Sequence, residues 1–247
     1  MKFNISVPKV LFFLLALSLS VMIYTSSFFN IFYDEEFYED FYERNEINQT
    51  LDVPTDKAME IVAYLNSETD QFPRESPVFA DAQFTDNEVS HFRDVKDLII
   101  ATRVVYFVSF TLFLVLIFGF LSSIIRAGDK ASKDKIRRFL IKLHYYVIGI
   151  TGSILLLFLI GTLSSFDTLF VWFHEIFFPQ GNWQFPPGSL SITLFPSEFF
   201  YEFFMALLRN VFMLLSLLIV LVLFIRLAYR NDMTPSNKRK EDHKAQS

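Results

Sequence analysis

Four apolar runs set the plan of the chain: Val10–Phe32, Leu98–Ile125, Leu143–Ser164 and Phe199–Ile225. At about 1.5 Å of helical rise per residue, each is long enough to cross a hydrocarbon core of about 30 Å. The first run is interrupted only by small polar residues and Asn30. It is longer than the apolar core of a secretory signal, and no clean small-x-small cleavage site follows it, so it reads as an uncleaved span. The pattern predicts an all-α integral membrane protein, with four transmembrane helices and a small helical and loop cap on the outer face.

The polar pieces between the spans are residues 1–9, 33–97, 126–142, 165–198 and 226–247. The stretch 126–142 carries Arg126, Lys130, Lys133, Lys135, Arg137, Arg138 and Lys142 against Asp129 and Asp134, and the tail contains Lys238-Arg239-Lys240. By the positive-inside rule these pieces, with the short basic N-terminus, are cytoplasmic. Residues 33–97 and 165–198 then lie outside. The first outer segment begins with acids from Asp34 to Glu46 interleaved with Phe37, Tyr38, Phe41 and Tyr42, a composition expected at the membrane interface. Helical spacing of Ala58, Ile61, Val62 and Leu65 predicts a helix over residues 55–66 with Thr55 as N-cap. Phe166, Phe170, Phe173 and Phe177 predict an interfacial helix, which Pro179 ends. Gly149, Gly152 and Gly161 in the third span read as sites of close helix approach.

The chain contains no cysteine, which excludes disulfides, thiolate metal sites and a cysteine acyl-enzyme. It has no P-loop, dinucleotide fingerprint, G-x-S-x-G elbow or zinc-protease helix, and no nucleic-acid partner is expected. What remains is histidine. Thr85-x-x-Glu88 forms a capping box that starts a helix running into the second span, and His91 stands about two turns before Leu98. Glu88 and Asp94 lie three residues to either side of His91, on one helix face, where a carboxylate can fix the imidazole tautomer. His174 falls on the same outer side of the membrane, beside Glu175 and two turns from Asp167. Two outer imidazoles at membrane level suit acid–base chemistry on a lipid ester. A metal held by His91, His174 and Asp94 or Glu175 is the alternative, without a supporting ligand spacing. Arg103, near the outer end of the second span, either snorkels to headgroups or faces a polar cavity.

Several motifs in this order resemble the lipoprotein intramolecular transacylases of bacterial membranes. They are Glu88-x-x-His91-Phe92-Arg93-Asp94-Val95-Lys96, Phe173-His174-x-Ile176-Phe177-Phe178, Asn182-Trp183, Leu194-Phe195-Pro196-Ser197-Glu198-Phe199-Phe200 and the supporting Ile61-Val62-Ala63-Tyr64-Leu65. The chain departs from the family pattern at Phe92, where a Met is common, and in Pro186-Pro187-Gly188-Ser189, where the family carries an acid. The resemblance implies transfer of an acyl chain from the glycerol of an S-diacylglyceryl group to the α-amine of the same N-terminal cysteine of a lipoprotein. His91 and His174 are then the catalytic pair, with Glu88, Asp94, Lys96, Asp167 and Glu175 as orienting groups. Trp183, Arg103 and Tyr64 are placed against substrate. No cofactor and no metal are expected, and the partners are a lipid-anchored protein N-terminus and membrane lipid. On this reading the two imidazoles approach one another in a lipid-accessible outer cleft. The rival readings are a membrane enzyme acting on another lipid ester, including a metal-assisted hydrolase, and a non-enzymatic subunit whose outer domain binds a partner.

Overall fold

The computed structural model of the chain describes residues 9–81, 83–126 and 132–232. The basic N-terminal residues before Lys9, the residues Asp129 and Lys130 of the basic loop, and the tail with Lys238-Arg239-Lys240 lie outside the described residues. The described elements are α1 (Lys9–Phe32), α2 (Glu35–Arg44), α3 (Pro54–Asn66), α4 (Asp86–Arg126), α5 (Ser132–Phe177), α6 (Leu190–Leu194) and α7 (Ser197–Asp232), with short 3₁₀ turns at Ile47–Gln49 and Pro77–Phe79. No strand occurs among the described residues. The helices α1, α4, α5 and α7 are long and apolar enough to cross a membrane. Their surfaces support that reading, because large apolar side chains stand outward along them, with Val108 60%, Leu157 70% and Leu217 66% exposed. A water-facing surface of that kind would be costly, whereas hydrocarbon accepts it.

The chain divides into two compact units: residues 22–108 with 156–210, and residues 1–21 with 109–155 and 211–247. In the described part of the second unit, Thr151 Oγ1 donates to Ser20 Oγ at 3.1 Å. A Cβ at Gly152 would meet Leu215 Cδ2 at 3.6 Å, so this glycine does lie where two helices approach. The ring of Phe12 meets Phe139 and Tyr146 edge-on.

The first unit holds the cap. The acidic and aromatic stretch expected at the interface is an amphipathic helix, α2, whose Tyr38, Phe41 and Tyr42 are buried while its carboxylates face outward. These rings build a core with Phe199, and Tyr42 donates to the Leu194 carbonyl at 2.9 Å, which satisfies the hydroxyl inside the core. In α3 the predicted apolar face Ala58, Ile61, Val62 and Leu65 is buried, but the start differs from the expected Thr55 cap. Pro54 occupies the first helical position, which its fixed φ favours, and Val53 precedes it with φ +42°. Lys57 is fully buried on the same helix; its ammonium donates to the Asp52 carbonyl at 2.7 Å and pairs with Asp81 Oδ1 at 3.0 Å.

Helical structure begins before the predicted third span, at Ser132 inside the basic stretch. It runs to Phe177 with one break at Ser165 (φ −168°, ψ 97°), which separates the predicted span from the helix predicted over residues 166–177. There the Ser165 hydroxyl accepts the Thr168 N–H at 3.3 Å and starts the next helical segment. A Cβ at Gly161 would come within 3.0 Å of Leu169 Cδ1, so Gly161 accommodates the same chain folding past the break rather than a neighbouring helix.

Candidate active site

The capping box is formed as the sequence predicts. Glu88 Oε2 accepts Thr85 N–H and the Thr85 hydroxyl, each at 2.8 Å, and Thr85 Oγ1 accepts Glu88 N–H at 3.3 Å. The second Glu88 oxygen accepts the backbone N–H of Ser191 at 2.8 Å, which ties the head of α4 to α6. Burial alone would raise the pKa of this carboxyl, but the Ser191 and Thr85 donors outweigh it and hold the pKa below the ordinary value. Both oxygens are thereby committed, and Glu88 makes no hydrogen bond to His91. Its role is to hold the start of α4 and the α6 segment in register.

From that anchored start, α4 carries His91 to the His174 ring near the C-terminal end of α5. The two centroids are 5.9 Å apart with planes inclined by 28°. Both imidazoles are buried, at 8% and 6% exposure. Aromatic rings enclose them: Phe178 at 4.7 Å and Phe185 at 5.6 Å from His91, and Phe170 at 4.1 Å and Trp183 at 4.7 Å from His174. The neighbours of His174 along α5 include Phe173, Ile176 and Phe177, all exposed, so the pair lies beside an apolar surface suited to lipid.

His174 Nδ1 lies 2.7 Å from the Phe170 carbonyl. A carbonyl only accepts, so Nδ1 carries the proton and the neutral ring keeps its lone pair on Nε2. Burial lowers the His174 pKa, against a smaller opposing effect of the Phe170 carbonyl. Burial also lowers that of His91, and the nearby His174 adds repulsion; Asp94 and Asn182 oppose the shift, and the result is about 4. Both rings are therefore predominantly neutral near pH 7. Charge on His174 disfavours charge on His91.

Asp94 does not hydrogen-bond an imidazole. Its Oδ2 accepts Gln180 Nε2 at 2.7 Å and Asn182 Nδ2 at 2.5 Å, and Asn182 Nδ2 also reaches Ser90 Oγ at 3.3 Å. Asp94 acts on His91 through its charge and through the loop that contains Asn182. Asp167 and Glu175 are exposed and make no hydrogen bond to either histidine. Lys96 is buried, but it points to the end of α3, donating to the Thr69 carbonyl and lying 4.7 Å over the Tyr64 ring. Arg103 donates to Asn66 Oδ1 and, at 3.3 Å, to the Tyr33 hydroxyl. Tyr64, Lys96 and Arg103 thus belong to a seam between α3 and α4, apart from the imidazoles; Trp183 alone of the expected substrate-binding residues packs on the pair. Among the described residues, no three His, Cys, Asp or Glu side chains converge as metal ligands would.

The residues that sequence reasoning left without a role are Gln180, Asn182, Phe178 and Phe185. Asn182 was visible only as part of the Asn182-Trp183 motif, and the Pro- and Gly-bearing stretch from Pro179 to Gly188 marked a chain that breaks its helix and loops back. The turn is closed by Gly181 N–H to the Phe178 carbonyl at 3.1 Å, with Gly181 at φ +79°, a conformation glycine takes without steric cost.

Residues 9–200 match the family model described as lipoprotein intramolecular transacylase Lit. An uncharacterized protein of Aquifex aeolicus (strain VF5) is 34% identical over 139 residues, covering 54% of this chain and 55% of the relative, so the matched region spans about half the length of that relative. The fold is similar to the in meso structure of the membrane integral lipoprotein intramolecular transacylase Lit from Bacillus cereus, with TM-score 0.69 and 19% identity over 90% of this chain and 97% of that one. A histidine-to-arginine variant of the same Bacillus cereus protein matches with TM-score 0.66 and 18% identity, over 91% of this chain and 94% of the other.

Proposed function

The chain belongs to the lipoprotein intramolecular transacylase Lit family, and from that premise we propose that it moves one acyl chain within a diacylated lipoprotein. The transfer runs from the glycerol oxygen of the S-diacylglyceryl group to the α-amine of the same N-terminal cysteine. The observation that carries the reading is the buried His91–His174 pair, 5.9 Å between centroids, with the His174 tautomer set by the Phe170 carbonyl.

In this scheme His174 Nε2 takes a proton from the substrate amine as nitrogen attacks the ester carbonyl. The tetrahedral centre collapses, the bond from acyl carbon to glycerol oxygen breaks, and the departing oxygen receives a proton from the imidazole pair. One proton leaves the amine and one arrives at the glycerol hydroxyl, so no water and no redox partner enter the balance. Burial supports the base role, since a ring with a lowered pKa stays unprotonated near neutral pH. Nucleophile and leaving group belong to one substrate, so holding them together supplies much of the rate; well-oriented intramolecular reactions gain up to about 7–11 kcal/mol. The rings of Phe170, Phe178, Trp183 and Phe185 offer apolar walls for the acyl chain and glycerol.

The reaction is assigned to the extracytoplasmic face. Arg126, Lys135, Arg137, Arg138 and Lys142 flank the connection from α4 to α5, which the positive-inside rule puts in the cytoplasm together with both termini. The test is expression of the chain in cells that make diacylated lipoproteins, with mass spectrometry of the lipoprotein N-terminus. Acyl transfer to the α-amine that disappears in His91→Ala and His174→Ala supports the proposal. Unchanged lipoproteins in cells that accumulate the protein in the membrane would refute it.

A further inference from the structure

We propose that Asn182 is the positioning residue of His91: its amide oxygen accepts the imidazole Nδ1–H and leaves the ring's lone pair on Nε2. Two buried polar atoms at the site have no hydrogen-bond partner, His91 Nδ1 and Asn182 Oδ1, and the ring that carries the first is nine-tenths buried. Leaving a buried donor and a buried acceptor unpaired is costly, and pairing them removes both penalties at once.

The direction of the Asn182 amide is settled by its other contacts. A carboxylate only accepts, so the nitrogen must face Asp94 Oδ2 and Ser90 Oγ, and the oxygen is presented away from them. Gln180 binds the same Asp94 oxygen and braces the turn on which Asn182 stands. The Asn182 side chain is also close enough to His91 to favour its protonated form, as an amide oxygen beside a ring N–H does. Hydrogen bonds of this kind are often misaligned before substrate binds and tighten in the reacting complex. The arrangement makes the two histidines alike: the Phe170 carbonyl orders one ring through Nδ1, and the Asp94–Asn182 pair orders the other.

The consequence for catalysis rests on the acyl-transfer reading, whereas the tautomer does not, and the experiment separates them. Protein labelled with ¹⁵N at histidine is examined by NMR in lipid, with His91 and His174 assigned from variants lacking each. The wild type is expected to show His91 as the Nδ1–H tautomer, and both Asn182→Leu and Asp94→Asn are expected to shift it toward Nε2–H. His174 should keep its Nδ1–H tautomer throughout, which certifies that the variants are folded. In the lipoprotein assay Asn182→Leu should slow transfer about tenfold to a hundredfold with little change in KM. A wild-type His91 protonated at Nε2 would overturn the proposal, as would a tautomer that both variants leave unchanged. A wild type that transfers no acyl chain while showing the expected tautomers would refute the transacylase reading and leave the Asn182 assignment standing.

Discussion

The histidine pair makes the protein's stability depend on pH in a direction that burial dictates. In the folded state the His91 pKa falls from 6.5 to about 4, because the buried ring sheds its charge. Between those values the unfolded chain binds more protons than the folded one, so acid favours unfolding. The sign is thus opposite to that of a histidine stabilised by a carboxylate. Stability from the neutral ring is complete above about pH 6.5 and is lost as pH falls toward about 4. Each pKa unit corresponds to about 1.4 kcal/mol, so the full loss is about 3 kcal/mol, of which about 2 kcal/mol has gone by pH 5. His174, also lowered by burial, adds to the same trend. The assay is thermal unfolding of the purified protein in lipid nanodiscs from pH 7.5 to pH 5, for the wild type and for His91→Gln, which removes the titrating ring. The wild type should lose stability more steeply than the variant, and the gap between the two midpoints should change by the equivalent of about 2 kcal/mol. Glu88 titrates in both proteins and cancels in the comparison. Parallel pH profiles, or a wild type that gains stability in acid, would refute the argument that burial governs this ring.

Two further outcomes test the scaffold. Replacing Glu88 by Ala removes the acceptor of two backbone N–H groups, those of Thr85 and Ser191, and is expected to destabilise the protein by about 2–5 kcal/mol in chemical unfolding. Asp81→Ala should destabilise more than Lys57→Met although both remove the same ion pair, because the first leaves a fully buried ammonium with only the Asp52 carbonyl and the second takes the charge away; equal midpoints in the two variants would contradict this.

The spans, the capping box and the helix-forming face of α3 were legible along the chain because each depends on near neighbours. An apolar run must satisfy its own backbone in lipid, and Thr85 and Glu88 are three residues apart, so neither needs information from elsewhere. Local reasoning also placed His91 and His174 on one side of the membrane. It assigned the carboxylates less well. Glu88 shares a helix face with His91, but Ser191, 103 positions later, claims its second oxygen. Asp94 is engaged by Gln180 and Asn182, 86 and 88 residues away. The aromatic residues of α2 read as interfacial until Phe199 and Leu194 supplied a core for them.

By itself, then, the sequence determined an all-helical membrane protein with a histidine just beyond each of two apolar spans, since periodicity and hydropathy act over a turn or a span. Only the tertiary structure decided how those histidines are placed and what surrounds them. Their 5.9 Å separation, the Phe178 and Phe185 rings against His91 and the Asp94–Asn182 contact all join segments separated by about ninety residues, and Trp183 reaches His174 from beyond the turn that follows α5. A buried polar group takes whichever partner the fold brings to it, and spacing along a helix shows only which partners are near at hand.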